Sequence, residues 1–251
     1  MKIIAVTQAR YGSTRLQGKV LKEIQGMTLL DIHLERILQS KKITKLKIAT
    51  TNEDKAEKII EIATKHHIET YKGSIDDVLE RFYFCLKNEK PDYVVRITSD
   101  CPLIDPMIID KVISVCLSSD YDYVSNTLIP TYPDGMDVEV FKFSALEKAY
   151  NEATLKSDRE HVTPYIWRNS SVKGGKLFSS FNVANKYDYS NYRLTVDTLE
   201  DFQVIRALIE SNGINKGWKE YINFLDKNPN IKNLNINNVR NEGYQKSLLN
   251  D

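Results

Sequence analysis

Three cations and two carboxylates are the residues of this chain best suited to chemistry. Arg10, Arg15 and Lys19 crowd into the stretch QARYGSTRLQGKVL, together with Gly12, Ser13 and Gly18, just after the apolar run Ile3 to Thr7. Guanidinium and ammonium groups neutralise phosphate through charge-assisted hydrogen bonds, so this loop suits a polyanion. It is not a Walker loop, because five residues separate Gly12 from Gly18 and Val20 follows Lys19 where a Ser or Thr would reach a metal. The dinucleotide fingerprint G-x-G-x-x-G is missing as well. A solvated cationic turn is the competing reading. Asp100 follows the apolar run Tyr93 to Ser99, and Asp197 follows Tyr192 to Val196. Mg²⁺ is usually held by one or two carboxylates plus substrate phosphates, and a pair at strand ends beside a cationic loop fits that pattern. An aspartate just before a helix also serves as an N-cap, which is the alternative for Asp197. No convincing Ser-His or Cys-His pair stands out, and phosphoryl chemistry does not require one.

The elements that must position these groups follow from periodicity. Ile3 to Thr7, Leu46 to Thr51 and Tyr93 to Ser99 are short and rich in β-branched residues, which predicts strands. Between them, Leu30, Leu34, Ile37 and Leu38 share one helical face, as do Ala56, Ile59, Ile60 and Ala63, and then Val78, Phe82, Cys85 and Leu86. Ser74 and Asp77 resemble a capping box opening that third helix. Such alternation predicts an α/β fold, with a Rossmann-like mixed, mostly parallel sheet, helices on both faces and ligands at the carboxyl ends of the strands. From 121 to 183 the pattern changes: strands at Tyr121 to Ser125 and Met136 to Phe143 and a helix over Glu160 to Arg168 predict a small antiparallel insertion. YRLTVDTLEDFQVIRALIE returns to strand, turn and helix. The expected organisation is a nucleotide-binding domain (1–120 and 184–227), an insertion (121–183) and an asparagine-rich C-terminal extension (228–251) read as peripheral.

Bulk properties narrow the partners. A formal net charge of +1 over 251 residues lacks the basic excess of a nucleic-acid or membrane-surface protein. No apolar run approaches the roughly 20 residues of a membrane span. Cys85, Cys101 and Cys116 lie far apart without C-x-x-C spacing, which predicts reduced thiols, no structural zinc and a cytoplasmic setting.

The stretches IAVTQARYGSTRLQGKVL, IATTNED, GSIDDVLERF, VVRITSDCPLIDP, YVSNTL, YPDGMDVEVF, REHVTPYIWRN and YRLTVDTLEDF, in this order, resemble the spore-coat polysaccharide protein F type of cytidylyltransferase. That group is similar to the acylneuraminate and 3-deoxy-manno-octulosonate cytidylyltransferases. One departure is Gln17, where the family loop usually has proline. The resemblance implies transfer of CMP from CTP to a sugar acid or related anionic acceptor, with release of pyrophosphate. It implies that Ala9, Arg10, Gly12, Ser13, Arg15 and Lys19 wrap the triphosphate, that Thr50, Thr51, Gly73, Ser74 and Asp77 lie near the cytosine and ribose, and that Asp100, beside Ser99, joins Asp197 in holding Mg²⁺. Arg15 and Lys19 would then act on the leaving phosphates. Acceptor contacts are expected from Asn126, Asp137, Glu139, Arg159, Glu160 and His161, with His161 either a general base or a hydrogen-bonded bystander. Relatives of the acylneuraminate type are homodimers, and Tyr132, Tyr165, Ile166 and Trp167 are expected either as exposed apolar groups at such an interface or as the insertion's own small core. A nucleotide-sugar-dependent glycosyltransferase is the rival reading, although three loop cations exceed what a nucleoside diphosphate needs.

Overall fold

β1 (Ile3–Gln8) is the run IIAVTQ, and its alternation divides the core: Ile3 and Ala5 pack into one apolar cluster, Ile4 and Val6 into another on the opposite face. A strand covered on both faces reads as continuous apolar sequence, which is why β1 shows little polar alternation. A computed structural model describes residues 1–13 and 15–251 of the chain. After β1 come a short hairpin, β2 (Glu23–Ile24) and β3 (Met27–Thr28), then α1 (Leu29–Leu38), β4 (Lys45–Thr51), α2 (Glu57–Lys65), β5 (Glu69–Gly73), α3 (Val78–Leu86), β6 (Tyr93–Thr98) and α4 (Pro106–Ser118). The second half contains β7 (Tyr123–Ser125), β8 (Glu139–Lys142), α5 (Phe143–Glu152), α6 (Lys156–His161), α7 (Pro164–Arg168) and β9 (Ser180–Asn182). It closes with α8 (Leu199–Asn212), α9 (Trp218–Lys227), α10 (Pro229–Lys232) and α11 (Glu242–Leu248).

The main sheet has seven strands in the order β5-β4-β1-β6-β8-β7-β9. β5, β4, β1 and β6 run parallel, and Gln8 at the end of β1 faces Ala49 of β4 and Thr98 of β6. The loops leaving these strands therefore emerge along one carboxyl edge, where open α/β sheets bind ligands. β8 runs antiparallel to both β6 and β7. The antiparallel strands of 121–183 thus extend the main sheet and do not form a layer of their own.

Helix starts follow local chemistry. Thr28 and Asp31 form a capping box at α1, and Thr198 and Asp201 form another at α8. At α3 the cap is Asp77, which accepts from the Glu80 N–H at 2.8 Å, while Ser74 Oγ accepts from the Asp77 N–H; the expected box is a single cap reinforced by a serine. The helix expected over Glu160 to Arg168 is divided into α6 and α7. Val162 stands between them at φ +72°, a conformation a β-branched residue rarely adopts, and Pro164 opens α7. Tyr192 to Val196 is not a strand: it makes one parallel bridge, Asp134 to Arg193. Tyr132 and Ile166 are buried inside the chain, correcting the expectation that they are exposed. Among the described residues no helix is long and apolar enough to cross a membrane.

Candidate active site

The loop after β1 is closed by its own backbone. The Ser13 and Gly18 N–H groups both donate to the Tyr11 carbonyl, at 2.9 and 3.0 Å. Gly18 has φ +64°, and a Cβ there would stand 2.9 Å from the Tyr11 ring, so glycine fits both the turn and the neighbour. A single 3₁₀ turn over Lys19–Leu21 follows, bringing Lys19 back under the sheet edge. Its Nζ lies 2.8 Å from Asp197 Oδ1 and 3.2 Å from Asp100 Oδ2.

Asp100 and Asp197 are brought together by backbone. The Asp100 carbonyl accepts from the Val196 N–H at 2.8 Å and from Thr195 Oγ1 at 3.0 Å. The neighbouring Cys101 carbonyl accepts from His33 Nδ1, whose Nε2 accepts from Thr7 Oγ1, both at 2.9 Å. Burial pushes His33 down to about 4, so its ring is neutral and ties β1 to the turn carrying Asp100. Thr198 is the cap of α8, leaving Asp197 free to face the cleft.

Charges here are interleaved. Arg15 Nη2 reaches Asp197 Oδ1 at 2.7 Å, and Arg193 holds Asp197 at 3.0 Å, Asp134 at 2.6 Å and Asp201 at 2.8 Å. Burial alone would lower the Lys19 ammonium, but Asp100 and Asp197 outweigh it and hold it above its ordinary value. Burial alone would raise Asp100, yet Lys19 keeps it well below the usual carboxylate range. Both groups stay ionised.

These residues line a cleft of about 750 Å³ along the carboxyl edge. Of the sequence-predicted groups, the cleft brings together Ala9, Arg10, Ser13, Arg15, Lys19, Ser99, Asp100, Asp137, Glu139, Glu160, His161 and Asp197. Gly12, Thr50, Thr51, Gly73, Ser74, Asp77, Asn126 and Arg159 lie outside its lining. Asp77 and Arg159 pair with each other at 2.6 Å, and Asn126 uses its amide on the Met136 carbonyl and the Val138 N–H. On the nucleotide side, Ile75, Val78 and Arg81 line the cleft instead.

The other side of the cleft is acidic. Glu139 pairs with Arg96 and accepts from Tyr123 Oη at 2.5 Å; Asp137 accepts from Arg240 Nη2 at 2.5 Å. Burial pushes the Asp137 carboxyl up to about 7 against the pull of Arg240, helped by Asp134, Glu139 and Asp100. His161 is pushed down to about 4, chiefly by burial.

Sequence reasoning missed three contributors. Arg193 lay inside a quoted motif, YRLTVDT, but a lone arginine on an apparent strand carries no signal of three partners. Arg81 was hidden in a helix read for its apolar face. The C-terminal segment, read as peripheral, forms a wall of the cleft: Glu242 meets Arg15 at 2.7 Å, Ser247 meets Glu160 at 2.7 Å and His161 at 2.9 Å, and Tyr244 packs edge-on against Trp167. Asparagine-rich composition hid it, since its contacts are polar and distant in sequence.

A family model described as Cytidylyltransferase matches residues 4–227. The spore coat polysaccharide biosynthesis protein SpsF of Bacillus subtilis is 31% identical, covering 90% of this chain and 95% of that protein. The solved structure of a cytidylyltransferase from Leptospira borgpetersenii superposes with a TM-score of 0.86 at 35% identity, covering 92% of this chain and 97% of its own. A CMP:2-keto-3-deoxy-manno-octonic acid synthetase complexed with CTP shares the fold at a TM-score of 0.63 and 18% identity, over 84% of this chain and 99% of its own. With the matched region taking in the main sheet from Ile4 onward together with Asp100 and Asp197, the chain belongs to the cytidylyltransferase family.

Proposed function

We propose that this protein transfers a cytidylyl group from CTP to a hydroxyl of an anionic sugar acceptor and releases pyrophosphate. The observation that carries the reading is the convergence of Lys19 and Arg15 on Asp100 and Asp197 at the carboxyl edge of the sheet. The acceptor oxygen forms a bond to the α-phosphorus, the bond from that phosphorus to its bridging oxygen breaks, and pyrophosphate leaves with the electron pair. Charge grows on the leaving oxygens, so positioned cations do most of the work. Lys19 and Arg15 suit the departing phosphates and Arg10 the α-phosphate side. The acceptor hydroxyl must lose a proton, and Asp137, pushed up to about 7, is a better-matched base than His161 near 4.

The carboxylate pair fits a divalent cation. Asp100 and Asp197 already reach one ammonium from two sides, as they would a single hard cation. Among the described residues no group of three or more His, Cys, Asp or Glu forms a metal cluster, so phosphate oxygens would complete the set, as is usual for Mg²⁺. Mg²⁺ bound there would neutralise charge on the transferring phosphates.

The name of the Bacillus subtilis relative, a spore coat polysaccharide biosynthesis protein, supports a sugar acceptor in surface glycan synthesis. A homodimer stays part of the proposal, with an interface made by groups other than Tyr132 and Ile166, which face inward. The test is to offer CTP, UTP, ATP and GTP in turn with Mg²⁺ and a panel of sugar acids and sugar phosphates. Pyrophosphate should appear with CTP and one acceptor class. In a parallel arm with nucleotide sugars in place of the triphosphates, release of a nucleoside diphosphate would instead mean a glycosyltransferase.

A further inference from the structure

The segment after α10 is fastened to the body as far as Arg240. Asn235 and Asn238 donate to Asp201 Oδ1 at 2.9 and 3.1 Å, and Arg240 Nη2 donates to Asp137 Oδ1 at 2.5 Å. Past Asn241, which turns the chain at φ +58°, the attachment changes in kind. α11 buries only Ser247, while Leu248 and, just past the helix, Leu249 stand exposed. A helix this short is held in place by an apolar face packed on the body, since propensity alone leaves it unstable. α11 lacks such a face. Its ties are mostly polar: Glu242 on Arg15 at 2.7 Å, and Ser247 on Glu160 at 2.7 Å and on His161 at 2.9 Å. Tyr244 adds edge-on ring contacts with His161 and Trp167.

One of these ties occupies a group that the proposed reaction needs. Arg15 uses Nη2 on Asp197 and Nη1 on Glu242, both at 2.7 Å. Glu242 comes from 227 residues further along the chain, beyond the family-matched region of 4–227. A carboxylate and a phosphate oxygen meet a guanidinium in the same way, through charge-assisted N–H···O bonds. Glu242 therefore stands on Arg15 where a substrate phosphate would. The pair is half open to solvent, with side chains 33% and 37% exposed, so it is a weak one. A polyphosphate, with several charges in one molecule, outcompetes a single carboxylate there. Lys246, one turn further along α11, also pairs with Glu242 and still neutralises it once Arg15 is lost.

We propose that α11 is an autoinhibitory strap: Glu242 holds Arg15 in place of a substrate phosphate, and a polyphosphate that takes Arg15 releases α11 from the cleft wall. The strap turns about Asn241, while the stretch fastened through Arg240 stays on the body. Such coupling is reciprocal: closure weakens polyphosphate by the same factor by which polyphosphate weakens closure. For one exposed ion pair that factor is up to about 5. Ser247, near the far end of α11, acts on Arg15 only through this closure. The inference rests on the proposed placement of the departing phosphates on Arg15, and the experiment separates the two.

Amide hydrogen exchange over α11 is followed in the wild type, Glu242→Gln and Ser247→Ala, alone and with inorganic pyrophosphate, CTP or CMP. Calorimetry gives the affinity of each protein for each ligand. At saturation, pyrophosphate and CTP should each speed wild-type exchange in α11 by about 2–5-fold and leave α8 unchanged, while CMP leaves both as they were. Glu242→Gln should exchange faster without ligand, bind pyrophosphate about 2–5-fold tighter and show no further speeding. Ser247→Ala, with Arg15 and Glu242 intact, should also bind pyrophosphate tighter, by about 2-fold, the worth of a lost hydrogen bond in the strap. No tightening in Ser247→Ala would mean that Glu242 acts by local charge alone, and the strap would fall. Opening by CMP would overturn it too, since the release would not follow the outer phosphates. CTP binding with α11 exchange unchanged overturns the strap and leaves the proposed function standing. Opening by pyrophosphate in a protein that does not bind CTP keeps the strap and removes the proposed use of CTP.

Discussion

Arg193 and Arg81 are both nearly closed off from solvent, yet Arg193 holds Asp134, Asp197 and Asp201 at 2.6–3.0 Å while Arg81 holds no carboxylate. The contrast extends to the two sides of the cleft around them. Around Lys19 and Arg193, cations and carboxylates pair with one another, although Arg96 Nε and Arg240 Nε on the acidic wall are left without a partner among the described residues. Beside Gly73 of β5, Arg81 Nε and Nη1 are left unmet among the described residues. Groups that the fold satisfies contribute to stability, whereas groups it leaves unmatched cost stability and are kept for what binds.

The largest expected effect breaks the paired end at its centre. Asp100→Asn should lower kcat by at least about 10², since a neutral amide is a poor ligand for a hard cation and leaves Lys19 with one carboxylate. Pyrophosphate release measured over a Mg²⁺ series checks this. Wild-type turnover in the variant would remove Asp100 from the chemistry.

The next prediction concerns stability. Arg193→Met strands buried aspartates, and breaking a buried pair costs about 3–5 kcal/mol. Denaturant unfolding should show that loss in Arg193→Met and none in Arg81→Gln. Equal losses at both positions would erase the distinction between the two ends.

A smaller effect sharpens the comparison at the cleft mouth. Glu242 occupies Arg15, which this reading assigns to the departing phosphates. Glu242→Gln should tighten CTP by up to about 5-fold, the worth of an exposed ion pair, and leave CMP unchanged. Calorimetry with both ligands decides; tightening of CMP as well would mean that Glu242 opposes the nucleotide as a whole.

The smallest is a pH slope. Burial alone would raise the Asp201 carboxyl, but Arg193 and its other partners hold it below 3.8. Its folded value being depressed, its contribution is fully present above the ordinary carboxylate value and is lost as pH falls below it. Wild-type stability should therefore fall more steeply in acid than that of Arg193→Met. Parallel acid profiles would show that the pairing contributes nothing to the folded state.

The parallel half of the fold was legible because a strand buried on both faces must be apolar and β-branched, as in Ile3 to Thr7. The antiparallel half was less so. Val162 and Pro164 divide one apparent helix into two, and Tyr192 to Val196 has strand composition without ladder partners, because it packs beneath the cleft against Asp134 and Asp100. Much of the candidate site was visible as charged residues at strand ends. Expectation and cleft lining part where polar residues have local duties: Asp77 caps α3 and binds Arg159, and Asn126 bonds backbone, while Ile75, Val78 and Arg81 line the cleft.

By itself the sequence determined the alternation of strands and helices, the cationic loop and the strand-end aspartates, because periodicity and residue type act over short spans. Only the tertiary structure decided that Asp197 faces Lys19 and is not a cap, that Arg193 gathers three carboxylates, that the C-terminal segment walls the cleft, and that Arg81 Nε and Nη1 are left without a partner among the described residues. Each of those is a matter of which distant groups meet in a low-dielectric interior, where pairing or its absence sets the energy, and no spacing along the chain encodes it.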